Sequence, residues 1–175
     1  MKLLFTAAAL LLSPVAAFAQ AAPDTAGVVY DKALSPGWEN WSWAKKVELS
    51  SDNGAHKPIL IEAQGYGGLF LHHAPFSTAP YRGLHLLMQP VGGEVTVRVM
   101  VTVAGKPIPD GDKMEYGQPL MMMKRVTVKP GGWMEVIIPL SVLGAENKEI
   151  DGVQVMNDSG EPAPQFFVAD ISFKP

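Results

Sequence analysis

The sequence predicts an all-β domain built from two packed antiparallel sheets, and three observations carry that prediction. Val95, Val97, Val99, Val101 and Val103 alternate with Thr96, Arg98, Met100 and Thr102, the period-two pattern of a strand with one buried face. The chain holds 17 Gly and 15 Pro, which interrupt long helices. Short apolar stretches are separated by turn signals at regular spacing, as in a sandwich or barrel.

The elements follow in chain order. Lys2, an apolar run from Leu3 to Leu12, Ser13-Pro14 and the small residues Ala17 and Ala19 around Phe18 describe a secretory signal peptide over residues 1–19, cleaved after Ala19. That run falls short of the ~20 apolar residues a spanning helix needs, so the mature chain is not expected to cross a membrane. Its expected location is secreted or periplasmic. Residues 20–27 are small, polar and Pro-containing, a flexible lead-in, and residues 28–175 form the sandwich.

Besides the Val strand, strands are expected at Val28–Lys32, Trp41–Leu49, Pro58–Gln64, Leu69–His73, Gly83–Gln89, Leu120–Val128, Trp133–Pro139, Gly152–Met156 and Phe166–Phe173. Asp52-Asn53-Gly54, Gly67-Gly68, Gly92-Gly93, Pro130-Gly131-Gly132 and Asp158-Ser159-Gly160 supply turns between them. Lys106 to Pro119, with its Pro, Gly and charges, is expected to be a long surface loop, and Ser141 to Asn147 a helical turn.

Composition excludes several functions. The chain has 14 Lys+Arg against 17 Asp+Glu and no basic cluster, so nucleic acid is not an expected partner. It has no Cys, which removes disulfides, thiolate catalysis and thiolate metal sites. His72 and His73 are adjacent, hence on opposite faces of a strand, and His56 and His85 lie elsewhere, so no metal-ligand spacing is met. Thioethers suit Cu(I), and Met121-Met122-Met123 raises a copper site, but on a strand Met122 points away from its neighbours and core filling accounts for Met. Glu62, Glu94, Glu115 and Glu135 are available as carboxylates for a glycosidase, yet no local motif distinguishes a pair.

Pro36-Gly37-Trp38-Glu39-Asn40-Trp41-Ser42-Trp43 holds three of the four Trp. Aromatic rings stack on the apolar faces of sugar rings while polar neighbours bond the hydroxyls, so exposed Trp on a sheet makes a sugar platform; buried Trp would instead anchor the core. Alternation nominates a polar face containing Glu62, Gln64, His85, Gln89, Arg98, Arg125, Trp133, Glu135 and Gln154, with a solvated face and a ligand face both open.

Val29-Tyr30-Asp31, Leu34-x-x-Gly37-Trp38-x-Asn40-Trp41-Ser42-Trp43, Gly67-Gly68-Leu69-Phe70-Leu71, Tyr81-x-Gly83-Leu84, Trp133-x-x-Val136-x-Ile138-Pro139-Leu140 and Phe167-Val168-Ala169-Asp170-Ile171 resemble secreted galactose-binding-like jelly-roll domains. These are similar to the carbohydrate-binding modules of glycoside hydrolases and cell-wall proteins. The resemblance implies a jelly-roll sandwich that binds polysaccharide or cell-envelope glycan without cleaving it. The stacking residues would come from Trp38, Trp41, Trp43, Tyr66, Tyr81 and Trp133, and the hydrogen bonds from Glu62, Gln64, Arg82, Arg98 and Gln154. It also implies a structural Ca²⁺ held by Asp31 and Asp170, although Ala169 stands where related modules often have a second Asp. A sandwich that scaffolds or docks a separate envelope protein is the alternative, and a glycoside hydrolase a further one.

Overall fold

The computed structural model describes residues 26–175; the expected signal peptide and all but the last two residues of the expected lead-in lie outside them. Fifteen strands and no helix occur among the described residues. The first five are β1 (Val28–Asp31), β2 (Ala33–Leu34), β3 (Glu39–Asn40), β4 (Lys46–Glu48) and β5 (Ile59–Glu62). The long central strands follow: β6 (Gly68–Ser77), β7 (Gly83–Pro90) and β8 (Val95–Val103). Next come β9 (Lys106–Pro107), β10 (Pro109–Glu115), β11 (Gln118–Met121), β12 (Lys124–Val128) and β13 (Met134–Pro139), and the chain closes with β14 (Glu149–Asn157) and β15 (Phe166–Lys174).

Two antiparallel sheets result. One runs β13-β7-β15, with the β1-β2 and β5-β4 pairs side by side along the far edge of β15. The other runs β12-β8-β14-β6-β3, with β9 continuing the edge that β12 occupies. We call them the β15 sheet and the β14 sheet. Strands β5 to β8 and β12 to β15 alternate between the two sheets, so the pairings among the long strands are not local.

Alternation puts one face of each sheet into a shared core. Ile59, Ile61, Leu84, Leu86, Met88, Val136, Ile138, Phe166 and Val168 point in from the β15 sheet. Leu69, Leu71, Val97, Val99, Val101, Val153 and Val155 meet them from the β14 sheet. Each side chain so buried contributes ~1.5–3 kcal/mol, which offsets the ordering of many short strands. Tyr30 is fully buried, and its hydroxyl is satisfied by donating to the Lys57 carbonyl at 2.6 Å and accepting from the Ser50 amide at 2.8 Å.

The structure departs from the expected elements in four places. Val103 leaves the buried face and is 41% exposed, because β8 has there run past its core partners and pairs only with short β9. Lys106 to Pro119 is not a loop: β9 joins the sheet edge, and β10 and β11 form a hairpin turned at Tyr116-Gly117, both at positive φ. The strand expected over Leu120–Val128 breaks at Met122-Met123 into β11 and β12. Ser141 to Asn147, by contrast, does turn as expected, with the Val142, Leu143 and Gly144 amides each bonded three residues back, at 3.0 to 3.1 Å.

The fourth departure places the site. Trp41–Leu49 was expected as one strand, whereas residues 41–45 are irregular between β3 and β4. The cause is local: Asn40 Oδ1 accepts from the Ser42 amide at 3.1 Å and from its hydroxyl at 2.5 Å, and Ser42 Oγ accepts the Phe70 amide at 2.9 Å. Side chains thus replace the ladder bonds that would have continued β3. The backbone still tracks the edge of β6, with Trp41 N donating to Phe70 O at 2.8 Å and Trp43 N to Gly68 O at 3.0 Å.

Candidate functional site

The outer face of the β14 sheet gathers the unusual side chains. Registers place Arg125 beside Arg98, Arg98 beside Met156, Met100 beside Gln154, and Gln154 beside Phe70. Gly152 next to His72 keeps the floor low, since a Cβ there would stand 2.5 Å from the Phe70 ring and 2.7 Å from Thr102 Oγ1. Phe70, Met100 and Gln154 form a nearly buried floor.

Three aromatic rings rise beside that floor. Trp41 is 50% exposed, Trp43 38% and Tyr66 52%. Trp41 lies flat on the His72 imidazole, ring centres 3.6 Å apart and planes 7° from parallel, with its Nε1 donating to Glu39 Oε2 at 2.8 Å. One indole face is therefore covered and the other open. Trp43 stands edge-on to Phe70 and donates Nε1 to the Tyr66 carbonyl at 2.8 Å, while Gln64 Nε2 donates to the Trp43 carbonyl at 2.8 Å. Both indole N–H groups are satisfied by the protein, so the rings are held rigid before any ligand arrives.

Tyr66 sits in the left-handed region at φ 55°, a conformation uncommon for a residue with a side chain. It is held there by its own amide, which donates to Ser159 O at 2.8 Å, and by the Trp43 bond to its carbonyl. Gly65 makes the approach of the two loops possible: a Cβ at that position would lie 1.9 Å from the Gly160 carbonyl oxygen.

Charge enters through Asp158. Arg98 Nε donates to Asp158 Oδ1, Arg98 Nη2 to the Asp158 carbonyl at 3.1 Å, and Arg125 Nε to Oδ2 at 2.6 Å. The Arg98 guanidinium also lies 5.7 Å from the centre of the Tyr66 ring. Burial pushes the Asp158 carboxyl up, but the hydrogen bonds and charges of the two arginines outweigh it and hold the group below the usual carboxylate range. A folded-state pKa below the unfolded value of about 3.9 means that the stabilisation is full above that value and is lost as pH falls through the lower folded one. Thermal melts from about pH 5 to pH 2 are thus expected to show wild type more stable than Asp158→Asn at the upper end, with the gap closing toward the lower. A constant gap would mean that the clamp does not ionise as described.

Of the expected site residues, the structure brings together Trp41, Trp43, Tyr66, Arg98 and Gln154, with Gln64 bracing Trp43 from behind. The others lie elsewhere. Trp38 is 5% exposed, donates Nε1 to the Ala26 carbonyl at 3.2 Å and packs on Phe76 and His73, so it is core. Glu62 is on the β15 sheet in an ion pair with Lys45 at 2.5 Å. Trp133 precedes β13 at the edge of that sheet, against His56 and Phe167. Tyr81 packs on Phe173 before β7, and Arg82 bonds the Ala79 and Tyr81 carbonyls beside it. The expected polar face was therefore a mixture of two outer faces, because alternation tells in from out but not which sheet is involved.

The four carboxylates considered for hydrolysis are dispersed among β5, the turn before β8, the end of β10 and β13. Met121, Met122 and Met123 all line one surface cleft, Met122 also packing against the core. Phe70, His72, Asp158 and Glu39 join the site beside Arg125, which the expected polar face contained; the alternation Leu69-Phe70-Leu71-His72 carried the signal for the first two.

Asp31 and Asp170 line one small cleft at the β1–β15 junction, where β15 bulges and Asp170 takes φ 48°. Asp170 Oδ2 is already 2.7 Å from His56 Nδ1, and among the described residues no group of three His, Asp or Glu side chains could hold a metal. Two carboxylates, one engaged, do not fit an ion that takes roughly six to eight oxygen ligands. Chelation is expected to leave the melting temperature unchanged, and a drop on adding EDTA that Ca²⁺ restores would reinstate the ion.

No family model and no curated protein matches the sequence. Solved structures do match in fold. A family 29 carbohydrate-binding module superposes with a TM-score of 0.55 at 16% identity, over 84% of this chain and 89% of that one. Another family 29 module, complexed with cellulohexaose, gives 0.54 at 16% identity over 83% and 87%. The family 11 module from Clostridium thermocellum, in complex with a β-1,3-1,4-mixed-linked tetrasaccharide, gives 0.59 at 14% identity over 85% and 94%. The jelly-roll sandwich expected from the sequence is thus the fold observed.

Proposed function

We propose that this chain is an exported, non-catalytic carbohydrate-binding domain whose ligand lies on the outer face of the β14 sheet. The observation that carries the proposal is the trio Trp41, Trp43 and Tyr66, exposed yet fixed by protein hydrogen bonds beside the Arg98–Asp158–Arg125 clamp. A pyranose presents apolar C–H faces and equatorial hydroxyls, and the two are matched by ring faces and by charged donors and acceptors. Carbohydrate ligands in two modules of similar fold support the same reading. The signal-like residues 1–19 support export.

The mature domain, residues 20–175, is expected to be retained on at least one of insoluble glucan, xylan, chitin and peptidoglycan, and to elute with the soluble form of that glycan. No retention on any would shift the assignment to an envelope scaffold. That alternative would have been favoured by a buried Trp cluster, a condition that Trp38 alone meets.

A further inference from the structure

We propose that the β10–β11 hairpin builds an additional subsite for one neutral sugar unit, extending the aromatic platform past Arg98; this rests on the carbohydrate reading above. The hairpin belongs to the core only at its base. Ile108 is buried, Met122 packs on the core, and Met122 N donates to Ile108 O at 2.8 Å. Beyond that base every residue of β10 except Asp110 is exposed, and Tyr116 at the tip is 98% exposed. Burial of its own side chains gives this arm little reason to exist.

What the arm does create is a cleft. Between it and the sheet lies a space of ≈ 500 Å³, lined by Arg98, Arg125, Lys113, Glu115, Leu120 and Met123 among others. Arg98 and Arg125 belong to both places, since both hold Asp158 on the platform side. A chain lying along the platform therefore continues into the cleft without leaving the protein. Leu120 and Met123 offer apolar surface for a ring face, and the charged side chains offer donors and acceptors for its hydroxyls.

Charge selects the class of sugar. Arg98, Arg125 and Lys113 are balanced by Asp110, Glu115 and Asp158, three against three, and Lys113 Nζ is paired with Asp110 Oδ2 at 2.9 Å. A uronate or sulfated unit would meet no net positive field, while a neutral hexose or pentose meets paired donors and acceptors.

Calorimetric titration of the mature domain with the trimer and hexamer of the glucan, xylan and chitin series tests this. Wild type should bind the hexamer of its series more tightly than the trimer. Lys113→Ala and Glu115→Ala should each weaken the hexamer about tenfold and leave the trimer within about twofold. Tyr116→Ala, on the same arm but outside the cleft, should change neither. If wild type binds a hexamer and the two cleft variants match it, the subsite is overturned and the platform stands. If no oligomer binds, the carbohydrate reading falls and takes the subsite with it.

Discussion

Trp43→Ala is expected to weaken glycan binding roughly thirtyfold, or about 2 kcal/mol, with little change in melting temperature. Two losses combine in that figure. The stacking surface of a 38%-exposed indole disappears, and so does the Nε1 donor that fixes the Tyr66 carbonyl 2.8 Å away. Tyr66 is then free to leave its left-handed backbone conformation, which takes a second ring out of position. Trp43→Phe separates the two contributions, because it keeps an aromatic face but no donor, and should recover part of the affinity. Affinity electrophoresis against the retained glycan measures both. Wild-type mobility in Trp43→Ala would remove this ring from the site.

Trp38→Ala should give the opposite pattern, although it lies only five residues away. Truncating a buried Trp costs about 3–5 kcal/mol through lost burial and the cavity left behind. The Ala26 carbonyl also loses its donor at 3.2 Å. For a domain of this size the melting temperature should fall by roughly 10 °C. Affinity measured well below the melt should stay within about twofold, since no atom of Trp38 reaches the outer face. A variant that melts normally but binds weakly would place Trp38 at the ligand.

The contrast shows what the motif Trp38-x-x-Trp41-x-Trp43 could convey. Its density of indoles announced something unusual, and two of the three stand exposed at the sheet edge. Which two depended on Asn40 and Ser42, whose side chains draw the chain out of the ladder just after Trp38 has turned inward. That is a local competition between two sets of hydrogen bonds of similar strength, and residue types alone do not settle it. Phe70 and His72 were legible as the outward face of their strand, but nothing local linked them to a Trp about 30 residues earlier.

The hairpin gives a complementary lesson. Pro and Gly in Lys106 to Pro119 spoke for a loop, and the residues do turn, at Tyr116-Gly117. Strand pairing survives because Pro109 and Pro119 lie in a two-stranded ribbon with free edges, where a missing N–H is tolerated.

What the sequence determined by itself is the class: period-two burial, turn chemistry between short apolar runs and the absence of long helical stretches are written in neighbouring residues, and they suffice for a sandwich. The tertiary structure decided the site. Glu62, Trp133, Tyr81 and Arg82 fell away from the platform, while Phe70, His72 and Asp158 joined it, because membership depends on which strands lie side by side in space. The order β12-β8-β14-β6-β3 brings together segments far apart in the chain, and a side-chain period of two records only inside and outside.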